Sequence, residues 1–301
     1  MAAPSTAQSG RNKTPLLPYL LILPTLFFVA LFTAWPTLLS IYQSFFRQRL
    51  NIARFREPAF VGLGNYATLL GDDRFLHVAQ NTLIYALGTV PASIVLGFFF
   101  ALLVNRAWRG IGWARLAFFH PTLLPMVSAA TIWKFFFTPD YGLFNSTLRF
   151  LGYHGPENWT GHPDLALLSI MIVALWKNAG YYMLFYLAGL QNLPADVYEA
   201  AALDGASGWQ TLWRITFPLL RRTTIFVSTI AFIDAFRTVD HIFVLTAGGP
   251  SRASTVLLYY LWQIRFENQD VGMAATLTIL FVAVLLLFTV TNFVVSEREG
   301  A

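Results

Sequence analysis

The 301-residue sequence contains no cysteine, which excludes disulfides, thiolate nucleophiles, iron–sulfur clusters and cysteine-ligated zinc. Lysine is nearly absent too. Lys13, Lys134 and Lys177 are the only three, and none follows a glycine. A phosphate-binding loop needs Gly-Lys-Ser/Thr, so ATP hydrolysis by that route is excluded. The histidines (His77, His120, His154, His162, His241) are scattered and never form His-Glu-x-x-His, so that zinc motif is missing. Charged residues make up only 12% of the chain, about half the roughly 25% usual in soluble domains. A soluble protein of this length could not cover its surface with so few.

What is present is apolar. Hydrophobic residues reach 56% and the mean hydropathy is +0.56, the composition of a polytopic membrane protein. The net charge of +5 comes from 17 arginines spread along the chain, and no basic run is dense enough for nucleic acid.

Thr14 to Phe46 is free of Asp, Glu, Lys and Arg. It is too long for a signal-peptide core and lacks a clear small-x-small cleavage site, so it reads as a retained first span, assigned to 16–46. Further spans are expected near 78–104, Leu116 to about Phe137, 165–190 around Lys177, 223–245 around Asp234 and Arg237, and Val271 to Ser296. The expected fold is an all-α polytopic membrane protein of six transmembrane helices with both termini on one side. A tail 1–15, an external loop 47–77, a five-helix membrane core 78–296 that includes the loop 192–222, and a tail 297–301 complete the division. With the termini inside, Lys and Arg number nine on the inner segments and eight on the outer, five of the eight between Arg47 and Arg74. The positive-inside rule therefore gives no orientation.

The loop 192–222 between spans four and five is the most informative stretch. Asp196-x-x-Glu199 reads as a capping box opening a short helix, with Pro194 before it and Gly205 ending it in the left-handed conformation. Ser207-x-x-Gln210 reads as a second capping box, opening a helix that ends before Pro218. Trp209, Leu212, Trp213 and Thr216 fall on one stripe of that helix, while Ala200, Ala201 and Ala202 give the first helix a small-residue face. An interfacial hairpin, a DNA-binding helix–turn–helix and a docking element for a soluble partner all fit this outline. With one arginine, Arg214, on its second helix and spans at both ends, the loop suits DNA poorly. Docking explains both the small face and the aromatic stripe.

The order Glu199-Ala200-Ala201, Gly205, Ile215 and Phe217-Pro218 resembles the EAA motif of membrane subunits of bacterial ATP-binding-cassette importers, with Phe217 where the family more often has Leu. Phe60-Val61-Gly62-Leu63-Gly64-Asn65-Tyr66, Leu187-Ala188-Gly189-Leu190-Gln191 and Leu245-Thr246-Ala247-Gly248-Gly249-Pro250 are similar to motifs of the carbohydrate-uptake branch, of maltose and glycerol-3-phosphate type. The resemblance implies a cytoplasmic coupling loop whose Glu199, Ala200, Ala201, Asp204, Gly205, Trp209, Trp213 and Pro218 engage an ATPase, and inner-membrane location with cytoplasmic termini. It implies a second similar permease subunit, two ATPase subunits that bind ATP and magnesium, and an external solute-binding protein. The chain itself would hold no cofactor, metal or catalytic residue. Glu199 either caps its helix or pairs with a partner arginine. A secondary transporter or channel working without an ATPase is the alternative, and it leaves the EAA-like loop unexplained.

Ionisable groups at membrane depth mark functional sites by default. Lys177 and Asp234 fall at matched depth, roughly 18 Å and 17 Å from the outer boundary at ~1.5 Å per residue, and are expected close together. Arg237 and His241 follow Asp234 along one helix face, with Asp240 near the outer interface. Lys177, Asn178, Tyr181, Tyr182, Asp234 and Arg237 are candidates for a hydrated solute pathway; a structural ion pair locking two spans is the competing reading. Lys134, near a span end, is expected to snorkel. Tyr259, Tyr260 and Trp262 read as interfacial anchors.

Overall fold

The computed structural model describes residues 17–106, 109–155 and 158–298. The expected N-terminal tail 1–15 lies outside the described residues, as do 299–301 of the C-terminal tail; residues 297 and 298 continue the last helix. Helix dominates. The exception among the described residues is a hairpin of β1 (Phe46–Arg47) and β2 (Ala59–Phe60), paired antiparallel with Phe46 opposite Phe60.

Among the described residues, four helices are long and apolar enough to cross a membrane: α1 (Pro18–Ser44), then, after the short α2 (Gly64–Leu70), α3 (Asp73–Asn105), and later in the chain Pro163–Gln191 and Val271–Val294. Pro24, Pro36 and Pro91 lie inside such helices, where a membrane segment tolerates them. Pro36 follows a π turn at Ala30–Ala34. The ring of Pro36 would meet the carbonyl of residue 32, and widening the helix at that carbonyl relieves the clash.

The expected third span is not one straight helix. It is α4 (Ile111–Leu123) and α5 (Met126–Phe136), bent by 100°. Pro125 accounts for the break: it pushes Leu124 out of the helical region, to φ −71 and ψ 139. After α6 (Leu143–Phe150) comes the long α7 (Pro163–Gln191), begun by Pro163 at its first position. In the 192–222 loop follow α8 (Ala195–Leu203) and α9 (Gly208–Thr211).

The expected fifth span is also interrupted. The helix α10 (Arg221–Phe236) stops at Arg237, and α11 (Asp240–Leu245) is separate from it, so Arg237 and His241 do not share one helix face. Then come α12 (Leu257–Trp262), which runs into a π turn at Gln263–Glu267, and α13 (Val271–Arg298).

The core forms where α3 and α7 pack together, joined by α10. Tyr85, Phe137, Ile170 and Ile242 belong to one apolar cluster; Phe98, Tyr182, Tyr186 and Leu220 belong to the other, nearer the loop. Gly180 on α7 makes the approach of α4 possible, since a Cβ there would lie 2.0 Å from the Phe118 carbonyl oxygen. Tyr259 and Tyr260, expected at the membrane interface, are buried instead, and Phe243 packs on both Tyr259 and Trp262. Lys134 is exposed.

The motif 60–66 has a structural task. Asn65 donates to the carbonyls of Ser44 and Phe46, both at 2.9 Å, and the Tyr66 hydroxyl donates to Ser44 Oγ at 2.8 Å. These bonds fix the end of α1 and the hairpin. Asp270 caps α13 by accepting from the Met273 amide at 3.0 Å and pairs with Arg49, which ties the hairpin to the last helix.

Candidate functional site

Two constellations carry the sequence-selected residues: the 192–222 loop and a cavity between spans.

In the loop, the first helix begins one residue earlier than its expected cap. Pro194, with φ −66 and ψ 131, takes the N-cap position, and no side chain caps it. The Asp196–Glu199 capping box therefore does not form: Asp196 is already in the first turn, where its charge complements the helix dipole. The Glu199 side chain is exposed and makes no hydrogen bond or ion pair among the described residues. At the other end the reading holds. The Ala206 amide donates to Ala201 O at 3.0 Å and the Gly205 amide to Ala202 O at 3.1 Å, a Schellman pair with Gly205 at φ +73.

The second capping box is complete. Gln210 N donates to Ser207 Oγ at 3.3 Å, and Ser207 N donates to Gln210 Oε1 at 2.8 Å. The helix does not end before Pro218, however. It passes through a π turn at Leu212–Thr216 into the helical turn Phe217–Leu219. The Pro218 ring would meet the carbonyl of Arg214, which lies inside that π turn, the same relief seen at Pro36.

The stripe splits by burial. Trp209 is 70% exposed and Trp213 47%, while Thr216 is buried and shares a 3.0 Å hydrogen bond with the Tyr198 hydroxyl of the first helix. Ala201 faces inward and Ala200, Ala202 and Asp204 face out. From Trp209 a ladder of ring contacts runs to Trp213, Phe217, Phe98 and Tyr186, with centroids 5.4 to 5.8 Å apart. An exposed surface is thereby in packing contact with α3 and α7.

The second constellation is a cavity of about 320 Å³ lined by Met126, Lys177, Asn178, Asp234, Arg237, Thr238, Val239, Asp240 and His241. The matched-depth expectation brings Lys177 and Asp234 to one cavity, but not into an ion pair. Lys177 donates to the Thr122 carbonyl at 3.2 Å, beside the α4–α5 break, and Thr122 returns a 2.9 Å hydrogen bond to the Lys177 carbonyl. Asp234 accepts instead from the Tyr182 hydroxyl at 3.1 Å. The bend between α4 and α5 thus supplies a bare carbonyl that anchors the lysine.

Tyr181 does not line this cavity; its ring packs on Phe185 at 5.0 Å, edge to face. His241 is buried, with its Nε2 3.4 Å from the Tyr85 hydroxyl. Tyr85, Thr89 and Ser93 line a small gap next to the cavity, together with Tyr182 and Asp234. These three were not selected from sequence. Their spacing of four along the otherwise apolar stretch Leu83 to Val104 of α3 is the signal that finds them.

Comparison with known proteins agrees with this architecture. Residues 60–298 match the family described as binding-protein-dependent transport system inner membrane component. The chain is 35% identical to the trehalose/maltose transport system permease protein MalF of Thermococcus litoralis, covering 91% of each. It is 32% identical to the sn-glycerol-3-phosphate transport system permease protein UgpA of Agrobacterium fabrum, covering 97% of this chain and 98% of that one. Among solved structures, a bacterial ABC transporter involved in the import of the acidic polysaccharide alginate shares the fold, with TM-score 0.80 at 22% identity over 94% of this chain and 95% of that one. The chain belongs to the family of binding-protein-dependent inner-membrane permeases. It is a multi-pass, non-catalytic permease subunit of an ATP-binding-cassette transporter, and the reading as a transporter without an ATPase is not favoured.

Proposed function

We propose that this permease forms half of the pathway for a sugar, polyol or glycerol-3-phosphate-like solute, which crosses by alternating access. The observation that carries this reading is the cavity, in which Lys177, Asn178, Asp234 and Arg237 present donors and acceptors without an ion pair locking them together. Such a lining suits a hydroxyl-rich solute, because each hydroxyl both donates and accepts. The trehalose/maltose and glycerol-3-phosphate names of the relatives support the same class.

In this reading the chain crosses six times, by α1, α3, the bent α4–α5, α7, α10 with α11, and α13. The 16 residues of α10 cover about 24 Å at 1.5 Å per residue, and α11 completes the passage. The 192–222 loop and both termini lie in the cytoplasm. Glu199, Ala200, Asp204, Gly205, Trp209 and Trp213 meet an ATPase subunit, with Ala201 and Pro218 shaping the surface from within. The full assembly has a second permease subunit, two ATPase subunits that hold ATP and magnesium, and an external binding protein.

Solute uptake into vesicles carrying the assembled transporter tests the cavity. Asp234→Asn and Arg237→Gln should each lower uptake about tenfold, the worth of one charge-assisted hydrogen bond, while the ATPase still co-purifies. Unchanged uptake in both variants would reject the pathway assignment.

A further inference from the structure

Near the loop end of α13, Asn292 holds a buried side-chain amide nitrogen with no hydrogen-bond acceptor. A donor left bare in this way costs free energy unless something outside the chain accepts from it. Asn292 lines a cavity of about 220 Å³ between α10 and α13. It stands about 32 Å along α13 from Val271 at 1.5 Å per residue, which is the depth of a headgroup boundary when Val271 marks the opposite one.

The opposite wall supplies a cation. Arg222, in the first turn of α10, is exposed and makes no hydrogen bond or ion pair among the described residues. The rest of the lining is apolar in character. Phe226 is 51% exposed and Phe293 61%, and the hydroxyls of Thr229 and Thr289 donate to carbonyls of their own helices at 2.9 and 2.8 Å. Further along both helices Phe232 stacks on Phe288 with centroids 3.5 Å apart, where the two helices meet. The groove therefore has a cationic mouth, a bare amide donor and an aromatic wall.

We propose that this groove binds one anionic phospholipid from the leaflet beside the 192–222 loop. Its phosphate meets the Arg222 guanidinium, the Asn292 amide, which lines the cavity, turns its buried Nδ2 outward to donate to a phosphate oxygen, and an acyl chain lies on Phe226 and Phe293. Charge complementarity selects an anionic lipid over a zwitterionic one, since Arg222 meets no acidic side chain among the described residues. A free phosphate ion would leave the aromatic wall unused.

The test uses the assembled transporter in vesicles of phosphatidylethanolamine and phosphatidylglycerol, followed by mild extraction and mass analysis of the retained lipid. Retained phosphatidylglycerol should fall about tenfold relative to phosphatidylethanolamine in Arg222→Gln and in Asn292→Leu, each of which removes one hydrogen bond to a charged group. Arg222→Lys should keep most of it, and added inorganic phosphate should not displace it. Equal retention in all variants overturns the proposal, as does displacement by inorganic phosphate. A third contrary result uses the absence of native cysteine: efficient cross-linking of Phe293→Cys to the second permease subunit would mean that protein, not lipid, fills the groove.

Discussion

Gly205 is held at φ +73, and a Cβ built there meets nothing within 4 Å. Any penalty for replacing it is therefore backbone strain of ~1 kcal/mol or more, without a clash inside the chain. Gly205→Val should leave the protein inserted but abolish substrate-stimulated ATP hydrolysis, while Gly205→Asn, tolerant of the left-handed region, should keep a large part of it. Equal activity of the two variants would remove the conformational argument. Gly180 is the opposite case, because its missing side chain makes room for the Phe118 backbone. Gly180→Ala should lower stability by about 1–3 kcal/mol through overpacking, read as a lower unfolding temperature of the purified subunit. Within the cavity, Lys177 and Asp234 bond to different partners. Asp234→Asn and Lys177→Met share a cavity without an ion pair, so they should show a modest coupling of about 0.5–1 kcal/mol in uptake assays; strong mutual rescue would instead indicate a direct pair.

At the scale of elements, the loop helices were legible where the cap was a local exchange of side chain and backbone. Ser207 and Gln210 are three apart and need nothing else, so the sequence pattern and the geometry agree. Asp196 and Glu199 have the same spacing, yet Pro194 already supplies the non-helical N-cap conformation, so the pattern has no cap to form. Ser207→Ala should cost about 1 kcal/mol of helix stability and loosen the second loop helix, read as faster amide exchange at Trp209 and Gln210. The breaks in the expected third and fifth spans are less visible in the sequence. Hydropathy sums apolar character over a window and is blind to direction, so it passes straight across Pro125 and across Arg237 to Val239. Those breaks nevertheless build the cavity: one exposes the Thr122 carbonyl to Lys177, and the other turns Asp240 and His241 toward Asp234. The half of the site that lies on unbroken helix was readable from spacing, and the half that lies on bends was not.

For the whole molecule, counting arginines failed as a guide to orientation because several of those in the segment 47–74 have local work. Arg49 pairs with Asp270, and the guanidinium groups of Arg47 and Arg54 lie 5.8 and 5.6 Å from the Phe55 ring. The scarcity of charge and the missing phosphate-binding loop fit a permease subunit whose ATPase is a separate chain, and under the proposed docking the ladder from Trp209 to Tyr186 would carry a contact at the loop to the packed helices. The most direct test of that claim places a single cysteine at the exposed Ala200 in the otherwise cysteine-free chain. In the assembled transporter, Ala200→Cys should cross-link to the ATPase subunit and stay unlabelled by a membrane-impermeant maleimide added outside intact cells. Labelling from outside, with no cross-link to the ATPase, would contradict the account.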